Sequence, residues 1–232
     1  MEDLGDRIKN NYENRDKHYL TRRMPVIMRI DGCAFHTFTK NFKRPFDIDL
    51  INSMVNATVK ASERIQGFKC AFVQSDEISI LLTDYDSLET SAWFDYNQSK
   101  LESVTASMIT AHFQNPELYQ QYTKLLPYFD CRAFNIPREE VVNYFLWRGL
   151  DWKRNSLNMY CQSFFSHKEL ENKNQVDKHD MLHVIGKNWA DLPSVVKNGT
   201  FVFRDVCMTN VLPKYEDLAK VIKPLVYCDE SL

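Results

Sequence analysis

The stretch that most restricts the fold is Pro25-Val26-Ile27-Met28-Arg29-Ile30-Asp31-Gly32. Val26, Ile27 and Ile30 are β-branched and Met28 is apolar, the make-up of a strand buried inside a sheet. The run leads directly into Asp31, and Gly32 then frees the backbone to turn away. A carboxylate where a buried strand stops either caps the next turn or faces a cleft. Taken alone, capping is the commoner case.

A second carboxylate cluster, Gln74-Ser75-Asp76-Glu77, changes that balance. It lies between Phe68–Val73 and Ile78–Leu82, both strand-like, with Ile78, Ile80 and Leu82 on one face. So few polar residues between two strands predict a tight hairpin with Asp76 and Glu77 at or beside its tip.

The remaining segments supply the fold. Asp3 to His18 reads as a polar helix, and Arg22-Arg23 as either a solvated edge or a polyanion contact. Phe35 and Phe38 are expected core anchors. Asp47 or Asp49 caps a helix striped by Ile51, Met54, Thr58 and Ile65, with Gly67 at its C′ position. A second helix runs from Trp93 to about Gln114, stopped by Asn115-Pro116. Tyr128 to Ile136 is the next strand. Strand, helix, strand, strand, helix, strand is the βαββαβ order of a ferredoxin-like α+β domain with an antiparallel sheet. Beyond Pro137 the reading is helical, at Arg138–Arg148, Lys153 to about Ser166 and Asp177–Ile185, with a late strand at Thr200–Arg204. Little is read from the last twenty residues. The expected division is a palm-like catalytic domain at 1–137, with the N-terminal polar segment, and a mainly helical extension at 138–232 packed on it, a single domain being the alternative.

Topology brings the two clusters together. In this order the third strand inserts antiparallel between the first and second. Asp31 ends the first strand and Asp76-Glu77 opens the third, ~4.8 Å away. Carboxylates crowded at a solvent-facing edge repel one another, and a divalent cation relieves that. Hard oxygen ligands favour Mg²⁺, and two such ions serve phosphoryl and nucleotidyl transfer. The rival site, His179 and His183 at i and i+4, has no general-base Glu between them and no third ligand. No Walker-type loop and no Gly-x-Gly-x-x-Gly is present.

Hydrophobic residues at 44% and charged residues at 26% describe an ordinary globular chain, and its formal net charge of -2 means that any polyanion must be held by a local basic patch. No apolar run approaches the ~20 residues of a membrane span, and Met1 to Leu20 is unlike a signal peptide. Cys33, Cys70, Cys131, Cys161, Cys207 and Cys228 form no Cys-x-x-Cys pair, as expected of a reduced cytoplasmic protein.

Arg29-Ile30-Asp31-Gly32-x-x-Phe35-His36-x-Phe38, Arg44-Pro45-Phe46-Asp47, Gln74-Ser75-Asp76-Glu77-x-Ser79 and Phe129-Asp130-x-Arg132 together resemble the tRNA-histidine guanylyltransferase family, over about Met24 to Phe203. The resemblance implies a polymerase-like palm that adds nucleotides to the 5′ end of tRNA in the 3′-to-5′ direction, using ATP and GTP or other nucleoside triphosphates. It also implies a homo-oligomer, a tetramer. It assigns two Mg²⁺ ions to Asp31, Asp76 and the Gly32 carbonyl, with Glu77 in support of catalysis. Asp31, Gly32, Cys33, Ala34, Phe35, His36, Ser75 and Asp76 would touch the nucleotide. Arg44, Lys100 and Arg132 match positions that hold triphosphates, while Asn97 stands where eukaryotic members have Arg. At Asp151 to Asn158 the guanylyltransferases proper carry His-x-Asn-Asn-Leu-Tyr; here Lys153, Ser156 and Asn158 replace the His, the second Asn and the Tyr. Arg154-Asn155-Ser156 resembles instead the guanylyltransferase-like branch of bacteria, archaea, phages and some protists, associated with template-dependent repair of 5′-truncated tRNAs. Lys153 and Arg154, with Asn155 beside them, are expected to contact tRNA.

Addition of one G to tRNA-histidine is the alternative within the family. A nucleotide cyclase or conventional polymerase palm would use the same carboxylate geometry, and a tRNA-binding protein with a silent palm is the reading from another class.

Overall fold

Six strands form one antiparallel sheet: β1 (Val26–Gly32), β2 (Phe68–Gln74), β3 (Glu77–Leu82), β4 (Phe129–Asn135), β5 (Thr200–Phe203) and β6 (Val206–Met208), in the order β4-β1-β3-β2-β5-β6. The structure is a computed structural model and describes residues 2–113, 119–204, 206–208 and 214–227. Asp47 caps α3 (Ile48–Ser62) by accepting from the Leu50 N–H at 3.0 Å, and Asn97 caps α4 (Gln98–His112) by accepting from the Lys100 N–H at 3.1 Å. With a short α2 (Phe35–Phe38) after β1, the first four strands and these helices have the expected βαββαβ order. They are preceded by α1 (Leu4–Ile8), which continues as a π-helical turn over Lys9–Glu13.

Alternation along the strands sends neighbours to opposite faces. Val26, Met28, Ile30, Ile78, Ile80 and Leu82 share one core with Met54 and Ala57 of α3 and Leu101 of α4. Ile27, Leu81 and Phe72 point the other way, onto Val141, Val142 and Phe145 of α5 (Val141–Gln162) and Leu218 and Ile222 of α9 (Tyr215–Val226). Between these come α6 (His167–Leu170), α7 (Gln175–Val184) and α8 (Ser194–Asn198). A boundary near 137 falls between β4 and α5, yet β5 and β6 join the same sheet through β2. The two halves of the chain therefore share one sheet.

Several elements differ from the sequence expectation. Trp93–Tyr96 is not helical: Phe94, Asp95 and Tyr96 have φ of 49°, 53° and 56°. The N-terminal arm pins this left-handed turn. Arg22 pairs with Asp95 at 3.1 Å and with buried Asp84 at 2.6 Å, and Leu20 N–H donates to the Tyr96 carbonyl at 3.0 Å. Arg22 is thus an internal clasp. α3 stops at Ser62, so Gly67 is not its C′ residue; it is required because a Cβ there would lie 2.3 Å from the Thr83 carbonyl oxygen. The two helices expected at 138–166 are one, since the stripe Val141, Phe145, Arg148, Trp152, Ser156 continues past Gly149 without a break. The stop expected at Asn115-Pro116 lies outside the described residues. The reading passed over α9, where Leu218, Ile222 and Val226 recur every four residues around Pro224.

Candidate active site

Asp31 is the last β1 residue before Gly32, and its Cα partner across the sheet is Glu77 on β3. Ser75 and Asp76 make the two-residue connection between β2 and β3, with Ser75 at φ 49°. The Gly32 N–H donates to the Asp76 carbonyl at 3.1 Å, which ties the end of β1 to this turn. Gly32 admits no side chain, because a Cβ would meet the Phe35 ring at 2.3 Å. The segment Cys33 to His36 thereby folds back over the strand end, with Phe35 packed on Phe38, Phe113 and Phe129.

Asp31 and Asp76 form no ion pair among the described residues. Burial pushes the Asp76 carboxyl above its ordinary range; the Ser75 hydroxyl opposes this, and the charges of Asp31 and Glu77 add to it. An ionised pair of this kind gains from a cation. Among the described residues no group of three or more His, Cys, Asp and Glu is arranged to hold a metal. Two carboxylates and a backbone carbonyl do fit Mg²⁺, which takes few protein ligands and keeps waters or phosphate oxygens for the rest.

Two clefts meet at the Ser75-Asp76 turn. One, of about 230 Å³, is lined by His36, Arg44, Pro45, Asp47, Ser75 and Asp76. The other, of about 500 Å³, is lined by Arg29, Asp31, Asp76, Arg148, Asp151 and Asn155. Trp152 and Met159 of α5 border both. An exposed Arg44 guanidinium rests on the Thr39 and Lys40 carbonyls, at 3.3 and 3.4 Å.

Glu77 is placed differently from the two aspartates. It is 7 % exposed and held by Arg29 at 2.6 Å and by both Nε and Nη2 of Arg148 at 2.7 and 2.8 Å. The sequence reading missed Arg148, which is 71 positions from Glu77. Its only signal was a charge on the buried stripe of an otherwise apolar helix face.

The other expected residues are more dispersed. Arg132 lies on β4 as the Cα partner of Arg29, exposed, with Asp130 at 3.8 Å. Lys100, in the first turn of α4, lines neither cleft and sits 5.6 Å from the Phe94 ring centroid. Asn97, at the position noted as basic in eukaryotic members, is buried as the cap of that helix. Lys153 reaches the Trp189 ring at 5.9 Å, while Arg154 pairs with Asp151 and Asn155 donates to Asp151 at 3.4 Å. His179 packs edge-on against Trp189 at 5.9 Å.

A βαββαβ sheet of this strand order, with Asp31 and Asp76 beside clefts bearing arginine, is the arrangement of a palm-type domain. The family profile described as tRNAHis guanylyltransferase matches residues 5–137. A bacterial tRNA(His) guanylyltransferase-like protein in complex with ATP superimposes with a TM-score of 0.91 at 41% identity, covering 97% of this chain and 100% of that one. The bacterial guanylyltransferase-like protein in complex with GTP gives 0.81 at 37% identity, with the same coverage. The tRNA(His) guanylyltransferase of Debaryomyces hansenii is 31% identical over 216 residues, 84% of this chain and 78% of its own length. The chain belongs to the tRNA-histidine guanylyltransferase family and is by that membership a nucleotidyltransferase. Among the described residues no helix is long and apolar enough to cross a membrane.

Proposed function

We propose that this protein adds nucleotides to the 5′ end of tRNA in the 3′-to-5′ direction, with the opposing acceptor-strand base selecting each one, and so repairs 5′-truncated tRNAs in the cytoplasm. The observation that carries the transfer reading is the pairing of Asp31 with Glu77 across β1 and β3, which brings Asp31 beside Asp76 at the junction of two clefts. ATP and GTP, bound by the bacterial relatives, are the substrates we assign to them.

Asp31, Asp76 and the Gly32 carbonyl would hold Mg²⁺, which when bound supplies charge stabilisation at the attacking and leaving oxygens. The protein's own part is positional. Gly32 to His36 and Ser75 offer backbone and hydroxyl groups to a nucleotide beside Asp76. Arg44 lines that cleft and Arg132 flanks Arg29, so each can take a triphosphate by forked hydrogen bonds. Lys100 lines neither cleft, so its contact with a triphosphate would lie outside both. A 5′-monophosphate needs prior activation, most simply by adenylylation from ATP with release of pyrophosphate, after which the nucleotide 3′-OH, losing its proton, attacks the 5′ phosphorus and displaces AMP; at a 5′-triphosphate the same attack displaces pyrophosphate directly.

Support for the repair reading comes from the altered motif on α5. Ser156 is buried, donates to the Val196 carbonyl at 2.6 Å and accepts from Trp189 Nε1 at 3.0 Å. Asn158 accepts from Lys178 at 2.9 Å, and Lys153 lies against Trp189. All three positions at which the motif departs from the guanylyltransferases proper are engaged inside the protein. Base selection by pairing with the template needs no dedicated pocket there. The test is a set of 5′-truncated tRNAs with the templating base varied through A, C, G and U. Addition of the complementary nucleotide in each case is expected. Addition of G alone, whatever lies opposite and only on tRNA-histidine, establishes the guanylyltransferase alternative instead.

A further inference from the structure

We propose that Glu77 is a positioning residue and not a metal ligand: with Arg29, Gln74 and Arg148 it forms a buried clamp that fixes β1, the Ser75-Asp76 turn and α5 relative to one another. This rests on the two-carboxylate reading above, because what the clamp positions is the pair Asp31 and Asp76.

A carboxylate has about four lone-pair sites for donors. Those of Glu77 face three hydrogen-bond donors and one further ion-pair partner. Oε1 accepts from Gln74 Nε2 at 3.1 Å and Arg148 Nε at 2.7 Å. Oε2 accepts from Arg148 Nη2 at 2.8 Å and forms an ion pair with Arg29 Nη2 at 2.6 Å. Turning this carboxylate toward a metal would leave the Arg148 guanidinium, on a residue only 4 % exposed, without its closest counter-charge. Stranding one member of a buried pair is strongly unfavourable. Asp151 accepts from Arg148 at 3.2 Å, so Glu77 and Asp151 balance Arg29 and Arg148 in charge.

The donors come from three different elements, each leading to the site. Arg29 precedes Asp31 by two residues on β1, so both lie on one face of the strand. Gln74 ends β2 immediately before the turn that carries Asp76. Arg148 lies one helical turn before Trp152, which borders both clefts. Arg29 Nε and Gln74 Oε1 are buried with no hydrogen-bond partner of their own. The ion pair of Arg29 and the hydrogen bond of Gln74 to Glu77 are the polar contacts that fix the two side chains here.

The test is a double-mutant cycle with a metal-binding readout. Glu77→Gln, Arg148→Gln and the pair are assayed for nucleotide addition, while Mn²⁺ binding is followed without nucleotide through the paramagnetic signal of the free ion. Both single variants should lose about 10–100-fold in kcat, the range found when a supporting contact is removed. KM for the nucleotide should change far less, and the pair should be no worse than the weaker single variant, the mark of coupled residues. Glu77→Gln should bind Mn²⁺ within about threefold of wild type, and Asp76→Asn about tenfold or more weaker. The clamp is overturned if Glu77→Gln weakens Mn²⁺ binding as much as Asp76→Asn does, or if the two kcat losses simply multiply. Should Glu77→Gln fail to fold, the pair removes both buried charges at once and carries the same Mn²⁺ measurement. If wild type binds no Mn²⁺, the reading of Asp31 and Asp76 fails, and the coupling of Glu77 with Arg148 still decides the clamp.

Discussion

The two faces of the sheet are built from alternate residues of the same strands, yet they do different work. On the α3 and α4 side, Met28 and Ile30 meet Ile78 and Ile80 in a core with no charged member. On the α5 side, Ile27 and Leu81 begin an equally apolar layer, but Arg29, Ser79, Asp31 and Glu77 follow toward the strand end. Polarity therefore rises along one face and not the other. A shift of register by a single residue would exchange Ile30 with Asp31 and destroy both faces together. One face stabilises; the other uses that rigidity to pair Arg29 with Glu77 while Asp31, at the strand end, forms no ion pair among the described residues.

The sharpest way to separate the faces is at Asp76. Asp76→Asn and Asp31→Asn should each lower nucleotide addition about a thousandfold or more, since each removes a carboxylate from a site that stabilises transferring charge. Stability should move the opposite way for Asp76→Asn. Burial raises the folded-state pKa of Asp76 above its ordinary value. The folded protein then binds this proton more tightly than the unfolded chain, so stability falls as pH rises from about 3.9 through the folded pKa. In metal-free buffer at neutral pH the variant should melt above wild type, and the gap should close below that window. A variant that is both active and no more stable would remove Asp76 from the site.

The opposite face should show the reverse pattern. Ile80 is wholly buried between α3 and the sheet, and Ile80→Ala should cost about 2–5 kcal/mol through lost burial and a residual cavity. Chemical denaturation measures this. Activity per folded molecule should hold, because Ile80 lines neither cleft, even though Phe35 and Phe42 of the same layer border the smaller one. A matching collapse in kcat at temperatures where the variant is folded would mean that the two faces are not separable.

A smaller change tests the boundary between polar and apolar on the α5 side. The Ser79 hydroxyl bonds the Tyr144 hydroxyl at 3.0 Å, and both are buried. Ser79→Ala leaves the Tyr144 hydroxyl without that partner and should cost about 1–3 kcal/mol. Ser79→Ala with Tyr144→Phe removes both groups and should recover part of the loss. No recovery would assign the loss to packing rather than to the hydrogen bond.

The two faces also differ in how far the sequence discloses them. The apolar layer is readable because period-two alternation in β1 and β3 names its members directly. Asp31 and Asp76 become a pair through topology alone, once βαββαβ is recognised. The clamp is not readable. Arg148 meets Glu77 across 71 positions, and nothing near either residue announces the other. The left-handed turn at Phe94, Asp95 and Tyr96 is hidden for a related reason: large residues rarely adopt positive φ, and here the turn is pinned by the distant Arg22. α5 appeared as two helices because Gly149 disfavours a helix interior by about 1 kcal/mol, less than its continuous buried stripe contributes. Pro224 masked α9 in the same way.

The smallest effect is expected where the polar face runs out onto α5, at Lys153 and Arg154. Both lie in mid-helix, so no terminus aims them at a ligand. Lys153 is half-buried against Trp189, and Arg154 is 57% exposed but already paired with Asp151. Each can still meet a phosphate: an ammonium on an aromatic face keeps donors to spare, and an exposed ion pair is worth little enough to be shared. With a formal net charge of -2, attraction to tRNA must come from such local cations. Replacing both with Ala should weaken tRNA binding only modestly. The log–log dependence of affinity on salt should become shallower by about one to two units, following release of fewer counterions. Because Asp151 partly neutralises Arg154, Lys153→Ala alone should account for most of the change. Binding measured across a salt series decides it. An unchanged slope in the double variant would leave both residues as internal contacts of α5, and the RNA-facing cations would have to be sought along Arg44 and Arg132 instead.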